Sequence, residues 1–327
     1  MAILLDSCSV MRGCKTGVET RLRESAPHLL DVDGDTLHHV HNAVKKFTLP
    51  FEKFLEKLPT DVHTDLKWSP DIRTGMEFTM PTRYVPTRWL TIFDAVNDLS
   101  YKLDAYTLLY YSFLKKNEKL QFLSTVIEIY RRRNVSEEAK NEIKNIRGKL
   151  AAKKLTDDGA KRKTRIICRL FVERTRMLLY KHFYASALPL LKEYVLLFQK
   201  NEPQIHKLHD EFIRTLKEFL AGFCKPEVLS KLVNLSLDDQ VMLPQQDIFV
   251  GTKCRKLLST APRDIREDFM RRVTESYQAT GKYLLSRISE SSICSRPCRP
   301  WTLKNLTLYA EITAFHAYGS KHRRGCG

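Results

Sequence analysis

Apolar residues along most of this chain return at every third or fourth position. Val40, Val44, Phe47, Phe51, Phe54, Leu55 and Leu58 follow that step, which gathers them on one face of a helix. Pro50 falls inside the run and predicts a kink or a division, because proline removes a backbone donor and clashes with the turn before it. A second helix begins near Arg88. It carries Leu90, Phe93, Val96, Leu99 and Leu103 on its apolar side and extends through the aromatic-rich Tyr106 to Phe113. Asn134 followed by Glu137 reads as a helix start for residues 135–155. Residues 158–200 make the longest candidate helix, with Pro189 as its expected break. Ile205, Leu208, Phe212, Leu216, Phe219 and Phe223 form an amphipathic stripe that Lys225 and Pro226 stop. Residues 236–252 read as loop, and Ile265, Phe269, Val273, Tyr277, Leu284 and Ile288 define a last helix. No repeat at a solenoid period is present.

The two ends have a different texture. Ala2 to Leu5 is a short apolar run, residues 17–26 suit one short helix, and His28 to Asp33 reads as a second short strand closed by Gly34. This strand–helix–strand order is the unit of a mixed or parallel sheet, although two short strands alone are marginal in water. Residues 69–87 form a loop-rich connector with Pro70, Pro81 and Pro86. From Ser291 onward periodicity is lost, and residues 291–327 read as a poorly ordered basic tail.

Composition narrows the classes. At 327 residues the length suggests two domains of ~150 residues each. Hydrophobic residues at 43% allow a real core and exclude a wholly disordered polymer, a collagen or a mucin-like stalk. Only 12 Gly and 13 Pro argue against a turn-rich all-β protein. The opening run reaches Asp6 too soon for a signal peptide, and the longest apolar runs, such as Tyr106 to Leu114, are far below the ~20 residues a membrane-spanning helix needs. No membrane partner is therefore expected. Cys168, Cys224 and Cys254 sit in apolar, helix-like stretches and read as reduced packing residues of an intracellular protein.

Charge adds a candidate partner. Lys and Arg number 55 against 38 Asp and Glu, a formal charge of +17, which makes an anionic partner such as nucleic acid plausible. Residues 151–182 hold ten Lys and Arg against three acids, among them Lys161, Arg162, Lys163, Arg165 and Arg169, and Arg131 to Arg133 add to them. Such a stretch suits phosphate contact, with Tyr180 and Tyr184 available to stack, and it equally suits a solvated helix face.

Other chemistry is less well supported. Asp31, Asp33 and Asp35 miss the calcium-loop pattern because Gly34 falls at the fourth position and Asn42 stands where a glutamate belongs. His38, His39 and His41 allow shared metal ligation without demanding it, and Cys294, Cys298, His316, His322 and Cys326 have zinc-ligand types at the wrong spacing. Gly13 to Thr16 lacks the first glycine of a P-loop, since Cys8 occupies its place. No cofactor, resident metal or small-molecule substrate is expected.

Three segments in order carry a resemblance. Asp6-Ser7-Cys8-Ser9-Val10-Met11, then His38 to Ala43, then Arg88-Trp89 after the connector, resemble the strand-end acid motif, the Cys-x-x-His-x-x-Asn helix motif and the Arg-Trp motif of hAT-superfamily transposases. Residues 5–290 are most similar to the zinc-finger-protein-862-like, transposon-derived members of that superfamily. Phe78 to Pro81, Lys225 to Leu229 and Asp247 to Gly251 have counterparts there.

The resemblance implies a mainly α protein: a helical insertion domain attached to an incomplete ribonuclease-H-like α/β core. Its implied parts are a partial core at 1–60, a proline-rich connector at 61–86, an insertion domain at 87–290 and the tail at 291–327. It implies nuclear DNA binding, with cytoplasmic location otherwise, and Arg88 and Trp89 at the nucleic acid. Asp6 would be the second acid of a catalytic triad whose first acid would lie before residue 1 and whose third has no match near Ser291. Thr36 stands where the helix motif has its cysteine. Two-metal cleavage needs the full set of acids, so the expectation is an inactive internal piece of a transposase that binds DNA weakly through its basic helical face. The alternatives are an oligomerisation or interaction module, for which a homo-oligomer is possible, and a gene-model fragment without a function of its own.

Overall fold

The computed structural model describes residues 2–3, 15–27, 30–31, 36–67, 91–133, 137–151, 156–199, 207–232 and 235–292. At the N-terminal end, strands β1 (Ala2–Ile3) and β2 (Leu30–Asp31) pair in parallel, with Ala2 opposite Leu30 and Ile3 opposite Asp31. Helix α1 (Val18–Ser25) lies between them in the chain. Everything else among the described residues is helix or connecting segment.

Helix α2 (Thr36–Thr48) leads through a 3-10 turn (Leu49–Phe51) into α3 (Phe54–Leu66). The division expected at Pro50 is completed by Glu52 and Lys53, whose φ angles of 55° and 56° are left-handed and sterically costly for residues with a Cβ. Arg272, far along the chain, pins this turn: its guanidinium donates to the Pro50 carbonyl and, at 3.0 Å, to the Glu52 carboxylate. The expected boundary at residue 60 falls inside α3.

Helices α4 (Thr91–Tyr111), α5 (Lys116–Gln121), α6 (Leu123–Arg133) and α7 (Glu137–Ala151) follow, the last in place of the helix expected at 135–155. Thr156 then caps α8 (Asp157–Ile167) by accepting the Gly159 amide at 3.2 Å.

The long helix expected at 158–200 is broken, but not at Pro189. A π-helical turn at Cys168–Val172, closed by the Glu173 amide on the Cys168 carbonyl at 2.8 Å, separates α8 from α9 (Arg174–Phe198). The extra residue re-phases the two helices. Pro189 sits inside α9 without ending it. The neighbouring Ala187, Leu188 and Leu191 are buried, and that packing holds the helix across the missing amide.

Helix α10 (Leu208–Ala221) and a 3-10 turn (Pro226–Ser230) precede the segment 236–251, which has no helix of its own yet is tightly held. The Lys225, Leu243 and Phe249 amides donate to the Val241, Phe223 and Gly222 carbonyls at 2.9, 2.8 and 2.7 Å. Gly251 ends the segment at φ 83°, so close to α9 that a Cβ there would lie 2.0 Å from the Ser186 hydroxyl oxygen. Helix α11 (Thr252–Thr260), which holds the helix-like stretch around Cys254, and the long α12 (Arg263–Ser292) complete the body.

Helix α9 is the hub, packing against α2, α3, α4, α10, α11 and α12. Around it Phe47, Phe51, Tyr180, Phe183, Tyr184, Phe269 and Tyr277 form an aromatic cluster, with Phe51–Tyr180 and Phe47–Phe183 ring centroids 4.7 and 5.1 Å apart. Residues 36–66 therefore share one core with residues 91–288. Helix α2 lies along α12, where Ser276 donates to the Phe47 carbonyl at 2.6 Å and His39 Nδ1 lies 3.4 Å from the Tyr283 hydroxyl. No helix among the described residues is long and apolar enough to cross a membrane.

Candidate functional site

Asp6, Arg88 and Trp89 lie outside the described residues, as do the cysteines and histidines of the tail. The five singled-out cations of the basic stretch are described, and they divide. Lys161 is exposed and Arg162 half-exposed on α8, and neither enters a salt bridge among the described residues. Lys163 turns inward, its Nζ 4.1 Å from the centre of the Phe113 ring and 3.9 Å from the Asp65 carboxylate. Arg165 grips Asp61 of α3 with two hydrogen bonds of 2.7 and 3.1 Å. Arg169 is only 7% exposed; it donates to the same carboxylate at 2.9 Å and lies 5.4 Å over the Phe54 ring.

The spacing explains this. Arg165 and Arg169 are one helical turn apart, as are Asp61 and Asp65 on the facing α3. Two periodic charge rows thus meet as α8 packs on α3. Other cations of the stretch also point inward. Arg174 donates to the Thr107 hydroxyl at 3.2 Å, and burial lowers its pKa. Lys181 is 6% exposed, and burial brings its ammonium down to about 8. Arg132 and Arg133 converge on Asp104 at 2.8 to 3.0 Å.

A cleft of about 270 Å³ opens beside the Arg169–Asp61 pair. Its lining brings together the turn after α2, the start of α3, the π turn, the start of α9 and the middle of α12. Lys57, Arg165, Arg169, Arg176 and Arg272 face Glu52 and Glu173 there, with Cys168, Tyr180, Phe51 and Phe54. The acids are engaged: Glu173 accepts from Arg176 at 3.0 Å, Glu52 from Arg272 at 3.0 Å, and Asp268, behind the lining, from Arg272 at 3.0 and 3.1 Å.

Burial, helped by Glu173, raises the pKa of the Cys168 thiol, which lies 3.6 Å from that carboxylate, so the cleft does not prepare a thiolate nucleophile. Cys224 and Cys254 are buried free thiols pushed by burial to about 11 and about 12. Among the described residues no three His, Cys, Asp or Glu side chains come together to hold a metal ion.

Lys57 and Arg272 carry no sequence signal that groups them with the basic stretch; only the fold brings them to it. The Asp61–Asp65 spacing matches that of Arg165–Arg169, but nothing in the sequence says that the two rows meet. Searches among family models, curated proteins and solved structures find no match to the chain.

Proposed function

We propose that the chain is a transposase-derived, catalytically inactive protein whose helical body binds DNA with weak sequence preference. The carrying observation is the cationic surface along α8: Lys161 and Arg162 face outward without salt-bridge partners among the described residues, and Arg165, Arg169 and Arg176 of the same basic stretch continue to the rim of the cleft. Phosphates are attracted to such a surface whatever the base sequence. The resemblance adds Arg88 and Trp89 as further contacts, a nuclear location, and a ribonuclease-H-like origin for the β1–α1–β2 unit. Near Ser291, where the family carries its third acid, the sequence has no match, which supports inactivity in DNA cleavage.

Filter binding of a duplex at rising salt tests the reading. Affinity should fall linearly on a log–log plot, with a slope of about −0.9 per phosphate neutralised. Affinity that hardly changes with salt rejects it.

A second reading, assembly with another copy or another protein, is favoured by one observation. Leu120, Leu123 and Ile127 on α5 and α6 are 73%, 41% and 39% exposed, the last two one helical turn apart. Size-exclusion chromatography showing a stable oligomer without duplex affinity at low salt selects it.

A further inference from the structure

Two donors at the cleft lack acceptors. Tyr180 is only 2% exposed, and its ring is fixed between Phe51, 4.7 Å away, and Phe269, 6.0 Å away, yet its hydroxyl donates to no described residue. The Nε of Arg176 is buried and likewise without a partner. The Tyr180 hydroxyl opens into the cleft, whereas a buried polar group left unpaired, as the Arg176 Nε is, is costly, and native proteins keep few of them without a reason. Both residues line the same cleft, as do Arg272, which interacts electrostatically with the Tyr180 hydroxyl, and Lys57, which is exposed and in no salt bridge among the described residues. The acids nearby already accept from arginines. What the cleft offers a visitor is mostly donors and positive charge.

We propose that this cleft is a pocket for a phosphomonoester, whose terminal phosphate is held by Lys57, Arg176, Arg272 and the Tyr180 hydroxyl. Arginine and phosphate pair through charge-assisted hydrogen bonds, often two at once. Its roughly 270 Å³ falls just short of the ~300 to 1,000 Å³ of pockets for drug-sized ligands and accommodates a phosphate with a modest organic group. Lys57, Arg176 and Arg272 line this one volume, which suits a single multiply charged group. A run of phosphodiesters calls for cations strung along a surface, as Lys161 and Arg162 are. The proposal stands apart from duplex binding by that outer face.

Calorimetric titration of the full chain with inorganic phosphate, pyrophosphate and AMP, at constant ionic strength, tests it. Saturable binding is expected, weakened about tenfold by Tyr180→Phe, the scale of one hydrogen bond to a charged group. Lys57→Ala, at an exposed position that does not threaten the fold, should weaken it similarly. An oligonucleotide with a 5′-phosphate, compared with its 5′-hydroxyl twin, identifies the source of the group. Preference for the phosphorylated end points to nucleic acid, and binding of AMP with no such preference points to a free nucleotide. No saturable binding of any phosphate ligand, or binding unchanged by both substitutions, overturns the pocket. Salt-sensitive duplex binding alongside that result would leave the nucleic-acid reading intact, and phosphate binding without duplex affinity would do the reverse.

Discussion

Glu56 and Asp61 lie on the same helix, are 2% and 8% exposed, and face opposite situations. Five residues on an α-helix is a rotation of about 140°, so the two carboxylates point to different neighbours. Asp61 meets α8 and accepts three hydrogen bonds from Arg165 and Arg169. Both carboxylate oxygens of Glu56 are buried and accept no well-formed hydrogen bond from the described residues. Burial drives its pKa from an ordinary 4.5 to about 7, and the weak approach of its own backbone amide and of the Thr48 hydroxyl, with the charges of Lys53 and Lys57, offsets only part of that rise. The same chemical group therefore clamps two helices in one place and titrates as an isolated acid in the other. The difference lies in what the fold sets opposite.

Breaking the clamp should give the largest effect. Asp61→Asn leaves Arg169 charged and buried beside Phe54, and losing one partner of a buried pair costs about 4 kcal/mol. Urea denaturation should show that loss. Asp61→Asn combined with Arg169→Met should be less destabilised than the sum of the two single changes, because the stranded charge is gone. Additive losses would mean that the pair is not a clamp.

The isolated acid gives a somewhat smaller effect with a definite sign. Between pH 4.5 and 7 the folded chain keeps a proton on Glu56 that the unfolded chain has released. Stability from this group is therefore present at low pH and is lost as pH rises through that window, by about 3 kcal/mol. Glu56→Gln cannot ionise. Its stability relative to the native chain should be near parity at pH 5 and clearly greater at pH 8. Parallel pH profiles for the two proteins would place Glu56 in contact with water or a partner.

The sequence carries much of this architecture and little of this contrast. The helical step of Val40 to Leu58, of Phe212 to Phe223 and of Phe269 to Ile288 reports a local property, the face each helix buries, and local patterns are what sequence reading detects. Asp61 and Arg165 are 104 residues apart, and nothing local announces their meeting. Proline carries a loud local signal, which is why Pro189 reads as a break. The π turn at Cys168–Val172 has no signature residue, although it sets Cys168 and Arg169 into the lining of the cleft. Helix α11 buries only Cys254 and Leu258, a stripe that marks a helix-like stretch around Cys254 but is too short to fix its bounds. The charge excess of residues 151–182 was visible as a sum. Its division into clamps such as Arg169, a buried ammonium at Lys181 and outward charges at Lys161 depends on where α8 and α9 pack.

That division sets the smallest and most selective test, because it moves binding without moving stability. Lys161→Ala with Arg162→Ala removes two outward cations that take part in no salt bridge among the described residues, so stability should change by less than about 0.5 kcal/mol. If each meets one phosphate, the salt slope of duplex binding should shrink by about 2 and affinity at low salt should drop with it. Arg169→Ala should do the opposite, lowering stability by removing the buried half of the Asp61 clamp and its packing on Phe54, with Arg165 still on Asp61, while leaving the salt slope near its native value, since its guanidinium already faces a carboxylate. A slope that shrinks with Arg169→Ala and stays put with the outer pair would reverse the roles of the two faces, and would place the nucleic acid in the cleft and not on the outside of α8.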